Sequence, residues 1–411
     1  MDIDNLIKQS ELFDIFINLV KIPSPSLSEE KVADFIIDFF AKNGIWAKKD
    51  NYGNVVAKIE ATDSNKQPVL LSAHMDVVGD NSPINPQIDD DKFIATDKTR
   101  TLGADDKAGV ACAMYLAKKI KNADFKHGGA EILFTRDEEC GTTGIHNADL
   151  KNFESKYVLV LDSDNLGEVL IAGASYTKFF LEVHSAKSGH SGVDIHLKDR
   201  VNAAHLIAQL ILKIPQGVYK ADEMGTVTSI NLGSIVAGGT ENCLKTLSGK
   251  EIDNYTKYAA QNSMTNIINP DAYACFSIRS SERATEEKLK NEILSTIENF
   301  NKQYEGLAKA SATFEIHLPP FEKSEDDTIT KVGEKAAANI GIKAIVSSFH
   351  AGAETHIYAN ETNKKGEKFI PCLLGIANIH NMHSNSEFVE IDSMQKGFEF
   401  VQEMFKVFNE C

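Results

Sequence analysis

The chain has 411 residues, of which 42% are hydrophobic and 25% are charged. This balance is that of a folded soluble protein and excludes disordered, fibrous and collagen-like classes, and the length predicts two or three domains. The formal net charge of −16 argues against nucleic acid or an anionic membrane as the main partner. The six cysteines are far apart and include no Cys-x-x-Cys pair, which predicts reduced thiols. With an acidic N-terminus and no apolar run of about 20 residues, we expect a cytoplasmic protein.

The first part of the chain alternates helix-like and strand-like segments. Residues 10–43 hold two amphipathic stretches around a Pro-Ser-Pro turn, and Gly109–Ile120 places its apolar residues on one helical face. Short apolar runs predict buried strands at Asn54–Ile59, Pro68–Val78, Glu131–Thr135 and Tyr157–Leu161. Short apolar runs separated by a helix predict an α/β fold with a mostly parallel sheet covered on both faces.

The pattern changes at about Thr177, where half-exposed strands and amphipathic helices begin to alternate. Strands are predicted at Lys178–Ser185, Val227–Ile235 and Ala272–Arg279, and helices at Val201–Ile214 and Glu286–Tyr304. After Pro320 the first pattern returns, with a helix at 327–341, a buried run at Ile370–Ile376 and a last amphipathic helix after Asp392. We therefore predict one α/β domain, residues 1–176 and 322–411, interrupted by a smaller α+β domain at 177–321.

Polar residues that could perform chemistry lie at or just after the ends of several predicted strands. His74 and Asp76 lie two residues apart, so on a strand both side chains leave the same face. Glu138 and Glu139 follow a second apolar strand, and Asp162 ends a third. Each feature has an ordinary structural explanation, such as a hydrogen-bonded core histidine or a solvated turn. Together, however, they converge on the sheet edge at which α/β proteins bind ligands.

Asp105 and Asp106 precede the helix that contains Gly109, at the same predicted edge. Carboxylates at a helix N-terminus are also explained by the helix dipole, so this pair alone leaves both explanations open. One histidine with several carboxylates suits a divalent, zinc-like metal site, and a further histidine would complete two four-coordinate sites. The C-terminal segment IHNMHSNSEF supplies two candidates, His380 and His383.

In combination these motifs, HMD, GADDKAG, DEE, the strand-end Asp162 and the late histidine, carry a family resemblance. The chain resembles, over nearly its whole length, the two-zinc metallopeptidases that include peptidase T, aminoacyl-histidine dipeptidase, carboxypeptidase G and succinyl-diaminopimelate desuccinylase. The resemblance implies that one zinc is held by His74, Asp105 and Asp162, and that a second is held by Asp105, Glu139 and His383. Cobalt or manganese could replace zinc. The resemblance also implies a cis peptide bond between Asp105 and Asp106.

The same resemblance implies the catalytic roles. Asp76 would orient His74, and Glu138 would be the general base that takes a proton from a zinc-activated water. His190, in the segment SGHSGVDIHL, resembles the lid histidine that polarises the substrate carbonyl. His383 is preferred to His380 because the Ser-Asn-Ser-Glu-Phe-Val that follows matches the family.

Four further residues resemble substrate-binding positions. Asn266 and Arg279 resemble the lid residues that hold the carboxylate end of a peptide, for which an arginine fork is suited. His350 and Glu354 lie in HAGAE, which resembles the substrate loop of aminoacyl-histidine dipeptidase more than that of peptidase T. The segment 240–264 looks like an insertion to which we assign no role.

The resemblance implies an enzyme that cleaves short peptides. Aspartate at position 162 is typical of the di- and tripeptidases in the family, so we expect a peptidase T-like tripeptide aminopeptidase. An aminoacyl-histidine-type dipeptidase, an N-acyl-amino-acid deacylase and, less favoured because Glu138 is present, a non-catalytic peptide-binding protein are the alternatives. Related enzymes also imply a homodimer formed through the lid domain. Side-chain preference, native metal and pathway are not determined by the sequence.

Overall fold

A computed structural model of the protein describes residues 2–223, 225–237 and 255–410. Its helices are α1 (Ile3–Gln9), α2 (Glu11–Val20), α3 (Glu30–Lys42), α4 (Ala104–Lys121), α5 (Thr143–Asn147), α6 (Ala203–Ile211), α7 (Tyr255–Asn262), α8 (Arg283–Gln303), α9 (Thr328–Ile340), α10 (Thr355–Asn360) and α11 (Ile391–Glu410). Of the segment 240–264, residues 240–254 lie outside the described part of the chain. No helix among the described residues is long and apolar enough to cross a lipid bilayer.

The strands are numbered in chain order. They are β1 (Trp46–Lys49), β2 (Val55–Ile59), β3 (Val69–His74), β4 (Gln87–Asp89), β5 (Phe93–Ala95), β6 (Ala130–Thr135), β7 (Tyr157–Ser163), β8 (Glu168–Gly173), β9 (Tyr176–Ser185), β10 (Gly189–His190), β11 (Gly217–Ala221), β12 (Val227–Ala237), β13 (Ile267–Ile268), β14 (Asp271–Ser280), β15 (Ala308–Leu318), β16 (Ile345–Phe349), β17 (Ile370–Gly375), β18 (Ile379–His380) and β19 (Phe388–Glu390).

The chain divides into two compact units. Unit 1 comprises Met1–Gly173 and Phe321–Cys411, and unit 2 comprises Ala174–Pro320. Unit 1 contains an eight-stranded sheet with the order β1-β2-β6-β3-β7-β17-β8-β16, in which β3 runs parallel to both β6 and β7, and β7 runs parallel to β17. The predicted mixed α/β fold with a mostly parallel sheet is therefore confirmed.

The central strands of unit 1 are buried along their whole length because helices cover the sheet. All six residues of β3 and all six of β6 are buried, which explains why their sequences are continuous apolar runs rather than alternating ones. Helix α11 buries Met394, Phe398, Val401 and Phe405, which recur at the three- and four-residue spacing of one helical face.

Unit 2 has a five-stranded antiparallel sheet with the order β11-β12-β14-β9-β15. In β9 and β14, buried residues alternate with partly exposed ones, and the buried sets pack with helices α6 and α8 in one hydrophobic cluster. The alternation that predicted these strands is therefore the consequence of a sheet with one covered face.

The two longest strands that were not predicted from the sequence are β8 and β15. The start of α4 was predicted at Gly109. Strand β15 was not evident because its most buried positions, Ala308 and Ala310, are small and the remainder is largely exposed at the sheet edge. Helix α4 extends back to Ala104, but Asp105 and Asp106 within it have non-helical backbone angles.

Candidate functional site

Three neighbouring parallel strands of unit 1 end at the same edge of the sheet. The register pairs His74 at the end of β3 with Thr135 at the end of β6, and Ser72 with Val160 of β7. Residues that follow these strand ends, together with the start of α4, therefore meet at one place. A cleft of about 510 Å³ opens there. Its lining includes His74, Asp105, Asp106, Glu138, Glu139, Asp162, Asp164, Glu168, Leu170, Phe349, Met382 and His383.

His74 is 2% exposed, and its hydrogen bonds fix which ring nitrogen faces the cleft. Nδ1 lies 3.0 Å from the backbone oxygen of Asp76. Because a carbonyl oxygen only accepts, the Nδ1–H donates to it and Nε2 is the free nitrogen in the neutral ring. Nε2 lies 3.1 Å from Oδ1 of Asp105 and 3.6 Å from Oδ1 of Asp162. This is the tautomer and orientation of a metal-ligating histidine with a backbone partner.

Asp105 and Asp106 are neighbours in sequence but have different surroundings. Their peptide bond is cis, as the resemblance implied. Both oxygens of Asp106 accept backbone N–H groups, Oδ1 from Gly109 at 2.9 Å and Oδ2 from His74 at 3.3 Å. The oxygens of Asp105 instead face two imidazoles, His74 through Oδ1 and His383 through Oδ2, each at 3.1 Å. Asp105 is therefore better placed than Asp106 to bridge two cations.

Glu139 and His383 complete the second side of the site. Nε2 of His383 lies 2.9 Å from Oε1 of Glu139, and the His383 side chain is 52% exposed. Ligand atoms of His74, Asp105 and Glu139 lie within 4.8 Å of one another, as do those of His74, Asp106 and Asp162. The five residues named as metal ligands from the sequence are thus brought together.

The electrostatics of this cluster are those of crowded carboxylates. Burial raises the pKa of Asp162 to about 6, and burial together with the negative charge of Asp105 raises the pKa of Glu139 to about 7. Hydrogen bonding to Asp105, followed by the charge of Glu139, raises the pKa of His383 to about 9. A divalent cation relieves repulsion of this kind because it favours the ionised form of every adjacent carboxylate. The donor set, two imidazoles with several carboxylates, fits zinc or a similar ion.

Glu138 is half-buried and lines the same cleft, beside the proposed ligands. Desolvation, followed by the negative charges of Asp162 and Glu354, raises its pKa to about 9. Its backbone N–H donates to Oδ1 of Asp76 at 3.0 Å. A carboxylate with a raised pKa at the end of a cleft can accept and return a proton near neutral pH.

Asp76 has a wider role than the orientation of His74 expected from the sequence. It is fully buried, and its Oδ1 lies 3.3 Å from Nδ1 of His74. Its two oxygens also accept the backbone N–H groups of Glu138 (3.0 Å) and Glu139 (3.1 Å) and the hydroxyl of Ser26 (2.7 Å). Asp76 therefore joins the β3 end to the β6 end.

The sequence analysis missed two buried glutamates that support the site. Glu29 is fully buried, pairs with Arg136 and accepts the backbone N–H of Asp137, at the base of the loop that carries Glu138. Glu387 accepts the backbone N–H groups of Ala104 and Asp105. Each glutamate contacts residues more than 100 positions away in sequence, so no local sequence pattern predicts these contacts.

Two of the residues expected to contact substrate lie together in unit 2. Strands β10 and β13 pair, with His190 opposite Ile267. The backbone N–H of Ser191 donates to the backbone oxygen of Asn266 at 2.9 Å. Nδ1 of His190 accepts the backbone N–H groups of Gly192 and Val193, at 3.0 and 3.2 Å. The proton of the neutral ring is consequently on Nε2, which makes His190 a hydrogen-bond donor.

Arg279 lies on β14, and its guanidinium carbon is 4.8 Å from the centre of the Tyr176 ring, also in unit 2. In unit 1, His350 is exposed and the following residues, Ala351 to Ala353, line the cleft. Glu354 is 1% exposed, with Oε2 at 3.4 Å from the hydroxyl of Ser72. Burial raises the pKa of Glu354 to about 7.

Most of the chain matches one protein family. The model of Peptidase family M20/M25/M40 matches residues 70–406. The chain is 24% identical over 320 residues to Peptidase T of Fusobacterium nucleatum, an alignment that covers 77% of this chain and 67% of that protein. It is 30% identical over 216 residues to the cytosol non-specific dipeptidase of Escherichia coli, covering 45% of this chain and 44% of that protein.

A solved structure has a similar fold over most of the chain. The crystal structure of aminopeptidase PepT from Bacillus cereus superposes with a TM-score of 0.80 at 23% identity, covering 97% of this chain and 98% of that one.

Proposed function

The chain belongs to Peptidase family M20/M25/M40, and we propose that it is a metal-dependent peptidase that releases the N-terminal residue of di- and tripeptides. The observation that carries this proposal is the convergence of His74, Asp105, Glu139, Asp162 and His383 beside Glu138 in one cleft. Similarity to proteins named Peptidase T and aminopeptidase PepT supports cleavage at the N-terminal residue of short peptides.

Two metal ions per chain fit this donor set, and zinc is the ion that we assign. His74, Asp105 and Asp162 would hold one ion, and Asp105, Glu139 and His383 would hold the other. Two observations support this assignment. Nε2 of His74 carries no proton in the neutral ring and faces Asp105, and the two oxygens of Asp105 face one imidazole each. A bound ion of this kind supplies Lewis acidity at the scissile carbonyl and makes water a better nucleophile at neutral pH.

The protein's own residues would then move the protons. Glu138 takes a proton from the attacking water and returns it to the amine that leaves. Asp76 holds the Glu138 backbone and the His74 ring at the same time, so it fixes base and ligand relative to each other. His190 would donate its Nε2–H to the carbonyl oxygen on which negative charge develops, which its two backbone contacts support.

Substrate recognition is assigned to the residues that resemble substrate-binding positions of the family. Arg279, with Asn266, would bind the C-terminal carboxylate of the peptide, because a guanidinium pairs with a carboxylate through two parallel hydrogen bonds. The segment that follows His350 lines the cleft and would contact the substrate in unit 1. Glu354 would support this segment, since its side chain is buried.

A dipeptidase of the aminoacyl-histidine type is the second candidate. The similarity to the cytosol non-specific dipeptidase and the HAGAE segment favour it, although that similarity covers 45% of this chain. An N-acyl-amino-acid deacylase of the same family is the third outcome that a substrate panel would detect.

The experiment is a panel of free and N-acetylated di- and tripeptides, assayed with zinc, cobalt and manganese. The proposal predicts release of the N-terminal residue from free tripeptides and much slower reaction of their acetylated forms. Cleavage of dipeptides alone would favour the second candidate. Release of acetate from acetyl-amino acids without tripeptide cleavage would contradict the proposal in favour of a deacylase, and no hydrolysis by the metal-loaded protein would contradict it altogether.

We also propose a homodimer formed through residues 177–321, in which His190 of one subunit serves its partner. The support is the family resemblance and the prevalence of two-fold dimers among soluble oligomers. Inactive E138Q and H190A chains should regain activity when mixed and allowed to exchange, because one site of each mixed dimer then has an intact Glu138 and borrows His190. Confirmed exchange of labelled chains without any recovery would contradict the shared site.

A further inference from the structure

Glu387 lies four residues after His383, and its buried carboxylate points at the loop that carries Asp105. The side chain is 1% exposed. Oε2 accepts the backbone N–H of Gly103 at 2.9 Å and the hydroxyl of Thr101, and Oε1 accepts the backbone N–H of Ala104 at 2.8 Å and that of Asp105 at 3.2 Å. One carboxylate thus binds three consecutive amides of this loop.

Among the described residues, no other side chain accepts these three N–H groups. The backbone angles of Asp105 and Asp106 are not helical, so the amides belong to the turn that leads into the regular part of α4. An unpaired buried N–H is costly. Glu387 therefore pairs these amides from a segment 282 residues away in sequence from Asp105.

The segment from His383 to Glu387 consequently contacts Asp105 at two points. Nε2 of His383 faces its carboxylate at 3.1 Å, and Glu387 accepts its backbone N–H at 3.2 Å. These two contacts hold the backbone at Asp105 close to His383, the histidine expected to bind the same metal ion as Asp105. If the Glu387 contacts were lost, the contact between the His383 imidazole and the Asp105 carboxylate would lose this backbone support.

We propose that Glu387 is a positioning residue, which fixes the Asp105 carboxylate relative to His383 and so sets the affinity of the site for metal. This inference rests on the proposed function, because it takes Asp105 and His383 to be ligands of one ion. Groups that orient metal ligands through hydrogen bonds contribute about 10- to 100-fold to metal affinity in other sites.

The test is a zinc titration of the metal-free protein against a chromogenic chelator, followed by the visible spectrum of the cobalt-loaded protein. In E387Q one oxygen becomes an amide that faces N–H donors, so zinc affinity should fall by about 10- to 100-fold and the cobalt spectrum should change. T101V removes only the hydroxyl contact and should give a smaller loss. E390Q is the matched control, because Glu390 lies three residues after Glu387 but pairs with His380 and Asn378.

The outcomes separate positioning from a merely structural role. A structural role would lower the melting temperature of metal-free E387Q but leave the zinc affinity of the folded protein unchanged, and affinity within twofold of wild type would overturn the proposal. If E387Q does not fold, T101V decides, and unchanged affinity in T101V overturns it as well. Failure of the wild-type protein to bind zinc would instead contradict the proposed function.

Discussion

Replacement of Asp76 by alanine should destabilise the site because it removes the acceptor of two partly buried amides. The backbone N–H groups of Glu138 and Glu139 donate to the two Asp76 oxygens at 3.0 and 3.1 Å, and Asp76 itself is fully buried. The Ser26 hydroxyl can rotate to another acceptor, but the two amides cannot do so unless the loop moves. An unpaired buried donor costs about 1–3 kcal/mol. Because both contacts are partly buried, Asp76→Ala should lower the free energy of unfolding of unit 1 by about 2 kcal/mol, the lower end of the range for two donors.

Two measurements on the metal-free protein check this value. Urea unfolding gives the loss of stability, and hydrogen exchange of a peptide that covers residues 136–140 shows whether the loss is local to these amides. Asp76→Asn keeps one acceptor oxygen and should lose about half as much. Asp80→Ala, in the exposed loop that follows, loses contacts to Ser82 and Arg100 and should leave the protection of the 136–140 peptide unchanged. If Asp76→Ala unfolds at the wild-type urea concentration and the peptide stays protected, Asp76 does not hold this loop.

Three further substitutions separate the roles assigned to the cleft and to unit 2. Glu138→Gln removes the base and keeps the shape, so kcat should fall by about 10²–10⁴ while bound metal is retained; an unchanged kcat would exclude Glu138 as the base. His383→Ala should lose one metal equivalent, whereas His380→Ala, which loses the pair with Glu390 and the stacking on Phe388, should keep two. Loss of an equivalent from His380→Ala but not from His383→Ala would show that the wrong histidine was chosen. Arg279→Ala should raise KM for free peptides and affect carboxyl-amidated ones much less, and equal effects on both would make Arg279 structural.

The parts of the fold that could be predicted from the sequence are those in which burial leaves a periodic pattern. Strand β3 is buried on both faces and reads as a continuous apolar run, and α11 repeats its buried residues every three or four positions. Strand β15 escaped prediction because small and exposed residues at a sheet edge leave little contrast.

The cleft residues were predictable for a different reason. His74, Glu138, Glu139 and Asp162 follow strand ends, and parallel strands bring their ends to one edge. The support of the site was not predictable in this way. Glu387 acts on amides 282 or more positions away, and Asp76 acts on amides 62 and 63 positions away. Hydrogen bonds of this kind depend on the completed fold and carry no sequence period.

The most direct test of the account is the activity of the metal-free protein as zinc is added back in known equivalents. A free tripeptide is the substrate, and bound zinc is measured in the same samples. The shared Asp105 and the two histidines predict that hydrolysis is absent without metal and reaches its maximum near two bound zinc ions per chain. Full activity with one bound ion, or with none, would contradict the two-metal peptidase proposed here.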